Sequence, residues 1–220
     1  LACATMLHAV PMVNPDGVEL VLSGAGPHHP RRDEVLAMNG GKSDFSGWKA
    51  NVRGVDLNDQ FPAFWEAERE RRQVTAPGPR DYTGESPLSE PEAMALARSV
   101  RLNGFHLVVA LHTQGREIYW NYRGLEPPES ESIAAEMGES SGLKPVRLEG
   151  SDAGFKDWFI AEFRRPGFTV ELGCGENPLP VGQFSSLYQE LLPIMEKALS
   201  VLPFSPPDEE KAPDIGRSGR

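Results

Sequence analysis

The chain has 220 residues, 39% hydrophobic and 25% charged, with a formal net charge of −10 at pH 7. That length supports one sizeable core without requiring a second, and the acidic balance excludes a nucleic-acid surface, because neutralising phosphates needs an excess of Lys and Arg. No run of roughly 18 apolar residues occurs, so no membrane-spanning helix is predicted.

The first thirteen residues, Leu1 to Val13, are apolar but lack the basic start of a signal peptide and an initiating Met. They run directly into Asn14-Pro15-Asp16-Gly17, a turn signature. Met6 to Val13 reads as a buried strand, and the chain as a fragment whose start lies upstream. Ser23–Gly47 and Thr75–Ser89 are long stretches rich in Gly, Pro and Asp, loops of the kind that build sites. Phe64–Gln73, dense in Glu and Arg, reads as a helix. Glu90–Asn103 reads as another, with Ser89 as its cap, acidic residues in its first turn and arginines later. Short apolar runs at His106–Leu111 and Phe168–Glu171 have the length and turn boundaries of buried strands. Ser130–Ser141 and Gln183–Val201 read as helices, the second long and amphipathic. From Pro203 the chain is Pro-rich and charged, so 203–220 is predicted to be a disordered tail and 1–202 one domain. Buried strands alternating with helices give an α/β class, a sheet covered by helices. Cys3 and Cys174 are too few for a disulfide framework and lack metal-ligand spacing; Cys174 reads as packing in a glycine-rich turn.

Three segments carry chemistry. Ala110-Leu111-His112 puts a histidine at the end of an apolar strand, where open α/β sheets place ligand sites; a hydrogen-bonded histidine with no ligand is the other reading. Glu171 ends a strand between Val170 and Leu172. A carboxylate among apolar neighbours needs a partner or a use, so it is either ion-paired, to Arg164 or Arg165, or chemically active. Trp48–Asn58 clusters Lys49, Arg53, Asn51, Asn58 and Asp56, which could hold a carboxylate or a developing oxyanion, or form a polar turn.

Taken in order, Asn14-Pro15-Asp16-Gly17, Gly54-Val55-Asp56-Leu57-Asn58, His112-Thr113-Gln114-Gly115 and the strand-end Glu171 resemble the M14 metallocarboxypeptidase family. Longer stretches, among them WKANVRGVDLNDQFPAFWE and GFKDWFIAEFRRPGFTVELGCGENPLP, resemble its bacterial γ-D-glutamyl-L-diamino-acid endopeptidase branch, and the resemblance runs from Leu7 to Leu202. It implies a carboxypeptidase-like fold: a mixed, mainly parallel sheet with helices on both faces, here lacking its first elements.

The resemblance also implies roles. The family binds one Zn2+ through a His-x-x-Glu pair and a later histidine, which falls on His112; the open coordination position takes a water whose pKa drops toward ~7. Glu171 matches the general base. The family's oxyanion-supporting arginine follows its Trp, where Lys49 stands here; Arg53, four residues further on, is favoured for its fixed guanidinium fork, with Lys49 as the alternative. Asn58 matches the asparagine that holds a substrate carboxylate. The arginine that commonly follows it is replaced by Asp59, which weighs against ordinary C-terminal specificity. Lys156, just before Asp157-Trp158, falls where the family sets side-chain preference and would favour the extra carboxylate of diaminopimelate; as a residue alone it reads as a surface lysine. The family's mobile tyrosine has no counterpart between Leu148 and Phe155. His8, His28, His29, His106 and His112 all lack a Glu three residues on, so the first two zinc ligands are expected upstream and these 220 residues alone are expected to be inactive. The implied activity is hydrolysis of γ-D-glutamyl-diaminopimelate bonds in peptidoglycan stem peptides by a monomer, in the cytoplasm or at the cell wall. The alternatives are a conventional metallocarboxypeptidase and a non-catalytic peptidoglycan-binding relative.

Overall fold

The computed structural model describes residues 5–201; the expected tail over 203–220, and Cys3, lie outside the described residues. Its elements follow as α1 (Pro15–Ser23), α2 (Arg32–Met38), α3 (Trp65–Arg72), α4 (Pro91–Asn103), β1 (Val108–His112), β2 (Glu117–Tyr119), α5 (Glu129–Ser141), β3 (Lys144–Val146), α6 (Phe155–Phe163), β4 (Gly167–Glu171) and α7 (Phe184–Ser200). The strands form one sheet in the order β1-β4-β2-β3. β1 is parallel to β4 and β2 to β3, while β2 and β4 are antiparallel, the mixed, mainly parallel sheet expected.

Period-two alternation sorts the side chains of β4. Phe168 and Val170 join Ile118 of β2 in a core shared with Ile133, Ala134 and Met137 of α5 and Ile194 of α7. Gly167, Thr169 and Glu171 take the opposite face. There Val108 packs against Ala93, Ala97 and Val100 of α4 and against Trp158-Phe159-Ile160 of α6. The lack of a side chain at Gly167 lets α6 approach: a Cβ there would lie 3.2 Å from Ile160 Cγ1 and 3.3 Å from Lys156 Cγ. Four residues on, at Glu171, the same face is only partly covered. A third cluster, Leu20, Val35, Phe45, Trp48 and Ala50, seats α1 and α2.

Several expectations are corrected. Met6–Val13 is not a buried strand; it has no regular structure and its apolar side chains are exposed, because a strand needs a hydrogen-bonded neighbour and none of the described strands pairs with it. Asn14-Pro15-Asp16-Gly17 is not a free turn but the start of α1: Asn14 Oδ1 accepts from Gly17 N at 3.0 Å, Pro15 takes the first helical position, and Asn14 Nδ2 donates to Ala50 O at 2.9 Å. Ser23–Gly47 contains α2. Ser89 does not cap α4; its hydroxyl shares its one proton between Gln60 Oε1 and Glu90 Oε1, at 3.2 and 3.1 Å, and Pro91 opens the helix. Cys174 is exposed rather than packed, since the turn at Gly173, with φ +70°, carries the chain off the sheet after the buried Leu172.

Candidate active site

The register of the sheet lines up three ionisable side chains. His112 stands opposite Glu171, and Glu171 opposite Glu117. Residues directly opposite on neighbouring strands project from the same face, with strands about 4.8 Å apart. The two strand ends are tied by Leu172 N donating to His112 O at 2.9 Å. The next rung of this face carries Ala110, Thr169 and Tyr119, and the one after it Val108 and Gly167.

Burial, and after it the charge of Lys49, holds the His112 imidazole below its ordinary value of 6.5, against the pull of Asp56. A neutral imidazole is the form that ligates a metal. Burial pushes the Glu171 carboxyl up to about 7; Lys49 opposes this and Glu117 adds to it. The ion pair considered for Glu171 is not the arrangement found. Arg165 donates to the carbonyls of Gly104 and Phe105 at 2.9 and 2.7 Å, and Arg164 closes α6 in a left-handed conformation.

The charge of Lys49 bears on this pair, whereas Arg53 faces a different partner. Lys49 is exposed on the chain that leads from the buried Trp48, and its charge acts on both His112 and Glu171. Arg53 Nε lies 3.5 Å from the buried Glu90, which also accepts from Asn51 Nδ2 at 2.8 Å. Asn51 in turn shapes this segment, its Oδ1 accepting from Arg53 N and Val55 N at 3.0 and 3.1 Å.

Asn58 is exposed in the short helical turn Leu57–Asp59, where Asp56 Oδ1 accepts from its N–H at 3.3 Å. Asp59 points inward and is fully buried. Arg72 donates to it at 3.0 Å and also reaches Asp81 and Glu68, each at 2.7 Å. Burial, then the neighbouring Asp56, push the Asp59 carboxyl up to about 7 in spite of Arg72. Among the described residues the one group with metal-holding spacing is Asp56, Asp59 and Asp81. Arg72 already serves it as counter-charge, and His112 is not in it.

Lys156 is not a surface lysine. It is buried on α6 beneath the site face, donating to Asn121 O at 2.7 Å and Asp157 Oδ1 at 2.5 Å, with Nζ 5.7 Å from the centre of the Tyr122 ring. The apolar residues around it in the sequence, Phe155 and Trp158 to Ile160, dock this helix and take the lysine inside with them. Two residues of the site face escaped sequence reasoning, Glu117 and Tyr119. The phenol of Tyr119 donates to Glu117 Oε2 at 2.7 Å. Glu117-Ile118-Tyr119 alternates polar, apolar, aromatic two residues after Gly115, and that period of two is the signal that Glu117 and Tyr119 share a face.

Residues 1–194 match the family model described as zinc carboxypeptidase. Over 190 residues the chain is 55% identical to a protein of Lysinibacillus sphaericus named gamma-D-glutamyl-L-diamino acid endopeptidase 1, covering 86% of this chain and 48% of that protein. The chain thus spans about half of that relative's length. Among solved structures it is similar to the carboxypeptidase A of Helicoverpa armigera, with a TM-score of 0.58 at 18% identity over 88% of this chain and 51% of that one. It is also similar to the murein-tripeptide amidase MpaA of Escherichia coli O157, with a TM-score of 0.50 at 24% identity over 89% of this chain and 67% of that one. At those identities the likeness is one of fold.

Proposed function

Because this chain belongs to the zinc carboxypeptidase family, we propose that it provides the later part of a peptidase site that hydrolyses the amide bond between γ-D-glutamate and a diamino acid, such as diaminopimelate, in peptidoglycan stem peptides. The observation that carries the reading is the register of His112 against Glu171 on one partly open sheet face, with the charge of Lys49 acting on both. The bond is the one named for the 55% identical relative.

The neutral imidazole of His112 suits one zinc ligand, and the remaining ligands, a His-x-x-Glu pair, come from outside these residues. When bound, zinc supplies a Lewis acid that polarises the amide carbonyl and acidifies water. Glu171 takes the proton from the attacking water and passes it to the leaving amine. Lys49 places positive charge where the oxyanion develops, whereas Arg53 is engaged by Glu90. Asn58 is exposed and free to hold a polar group of the substrate, while the buried Asp59 removes the arginine clamp that a terminal carboxylate would need. Lys156 spends two hydrogen bonds on Asn121 and Asp157. An ammonium has three donors, and the third reads the side-chain carboxylate of diaminopimelate.

Zinc-loaded protein that includes these residues is expected to cleave a γ-D-glutamyl-diaminopimelate peptide, and His112→Ala to lose both zinc and cleavage. Release of C-terminal residues from ordinary peptides with no cut at the γ-glutamyl bond would overturn the proposal. The Lys156 assignment fails if Lys156→Met leaves the preference for diaminopimelate over lysine peptides unchanged.

A further inference from the structure

We propose that Glu117 binds the side-chain ammonium of the diamino acid, and that the Tyr119 hydroxyl holds its carboxylate in position to do so. This rests on the reading of the site as a γ-D-glutamyl-diamino-acid peptidase and adds to it the group that recognises the second amine.

Glu117 and Glu171 stand directly opposite each other across an antiparallel pair. Like charges in that relation destabilise a sheet, so a carboxylate at 117 works against the fold unless something cationic comes to it. The charge of Lys49 acts on Glu171, and no ion pair among the described residues includes Glu117. Its hydrogen bond is with Tyr119 Oη at 2.7 Å, and among the described residues no lysine or arginine pairs with it. The adjacent Arg116 pairs with Glu190 of α7, at 2.6 Å. Gly115 lines the gap between the two acids without a side chain: a Cβ there would sit in contact, 3.7 Å from Glu171 Cβ and 3.8 Å from Glu117 Oε2.

Glu117 is only half-buried, so a ligand can reach it, and an ammonium would bind it through a charge-assisted hydrogen bond. A carboxylate with one phenol donor on one oxygen keeps acceptor sites for an ammonium group. Every diamino acid carries a second amine, while diaminopimelate adds a carboxylate. Glu117 would therefore select the class, and Lys156 the member within it.

The test compares kcat/KM for γ-D-glutamyl-lysine and γ-D-glutamyl-norleucine peptides, whose side chains differ in the terminal ammonium, using zinc-loaded protein that includes these residues. The parent is expected to prefer lysine. Glu117→Gln should cut the lysine-to-norleucine ratio on the order of tenfold to hundredfold, the range for a hydrogen bond to a charged group, chiefly through KM for lysine. Glu117→Asp should recover part of it, and Tyr119→Phe should lower the ratio by a smaller factor. If Glu117→Gln does not fold, Tyr119→Phe carries the test: a rise in KM confined to the lysine peptide supports the inference. A parent without preference for lysine, a ratio within twofold of the parent in the variants, or an equal loss on both peptides overturns it. Such results leave the peptidase reading standing as long as the parent cuts a γ-D-glutamyl-diaminopimelate peptide; a parent that cuts neither that peptide nor these two ends both.

Discussion

Exchanging Lys49 and Arg53 separately for Met decides which cation supports the oxyanion. Removing one oxyanion donor typically lowers kcat by about 10²–10³-fold, and that loss is expected for Lys49→Met, whose charge bears on His112 and Glu171. Arg53 is half-exposed and 3.5 Å from Glu90, an ion pair worth about 0–1 kcal/mol. Glu90 keeps its bonds from Asn51 Nδ2 at 2.8 Å and Ser89 Oγ at 3.1 Å after Arg53 is gone. Arg53→Met should therefore lose at most about 1 kcal/mol of stability and leave kcat within roughly threefold. Lys49→Met has a second signature. Lys49 pulls the Glu171 carboxyl down from where burial would set it, so its loss raises that pKa and moves the acidic limb of the pH–rate profile to higher pH. Lys49→Arg keeps the charge and should keep most of the rate. The assay is kcat and KM on a γ-D-glutamyl-diaminopimelate peptide with zinc content matched. A hundredfold loss in Arg53→Met beside a near-normal Lys49→Met would refute the assignment.

Glu171→Gln should retain zinc, measured by metal analysis, while turnover falls by about 10²–10⁴-fold; near-normal turnover would remove Glu171 as the base. Gly17→Ala should cost about 2–4 kcal/mol by urea denaturation, because the new Cβ would lie 2.5 Å from Ala50 O and displace Asn14 from its capping bonds; an unchanged midpoint would contradict that packing. The Asp59 carboxyl stands at about 7 in the folded protein against an ordinary 3.8, so the fold favours its protonated form. Its contribution is full below about pH 4 and is lost as pH rises through about 7, at roughly 1.4 kcal/mol per pH unit within that window. Asp59→Asn should flatten this fall between pH 5 and 8 in denaturation titrations, and an identical slope in parent and variant would show that another group is responsible.

His112 and Glu171 were legible because each ends an apolar run at a turn, and strand ends are where an α/β sheet exposes its chemistry. The start of α1 was misread because one residue set serves two purposes. Asn followed by Pro begins a turn as readily as it caps a helix, and only Asn14 reaching Ala50 separates the two. Lys156 was half legible: its position beside Asp157-Trp158 marked it, but burial depended on α6 docking through Phe159 and Ile160 against Gly167 and Val108, a tertiary packing that sequence spacing does not report. The pairing of Arg53 with Glu90, a buried carboxylate 37 positions later in the chain, was out of reach of the sequence, because it depends on how the two segments pack. Met6–Val13 carries a strand's composition without a strand's neighbour, and composition does not report pairing.

The bond from Leu172 N to His112 O makes the spacing of the proposed ligand and the proposed base a property of the main chain. Side chains around the face can be exchanged to admit other amines or acids while the backbone positions of His112 and Glu171 stay in register, because that register is set by strand pairing. The cost is that their alignment has no adjustment of its own. Sliding β4 by one residue against β1 would turn Glu171 into the core occupied by Phe168 and Val170 and bring Val170 to the water, so retargeting of specificity is open to small steps and relocation of the chemistry is not.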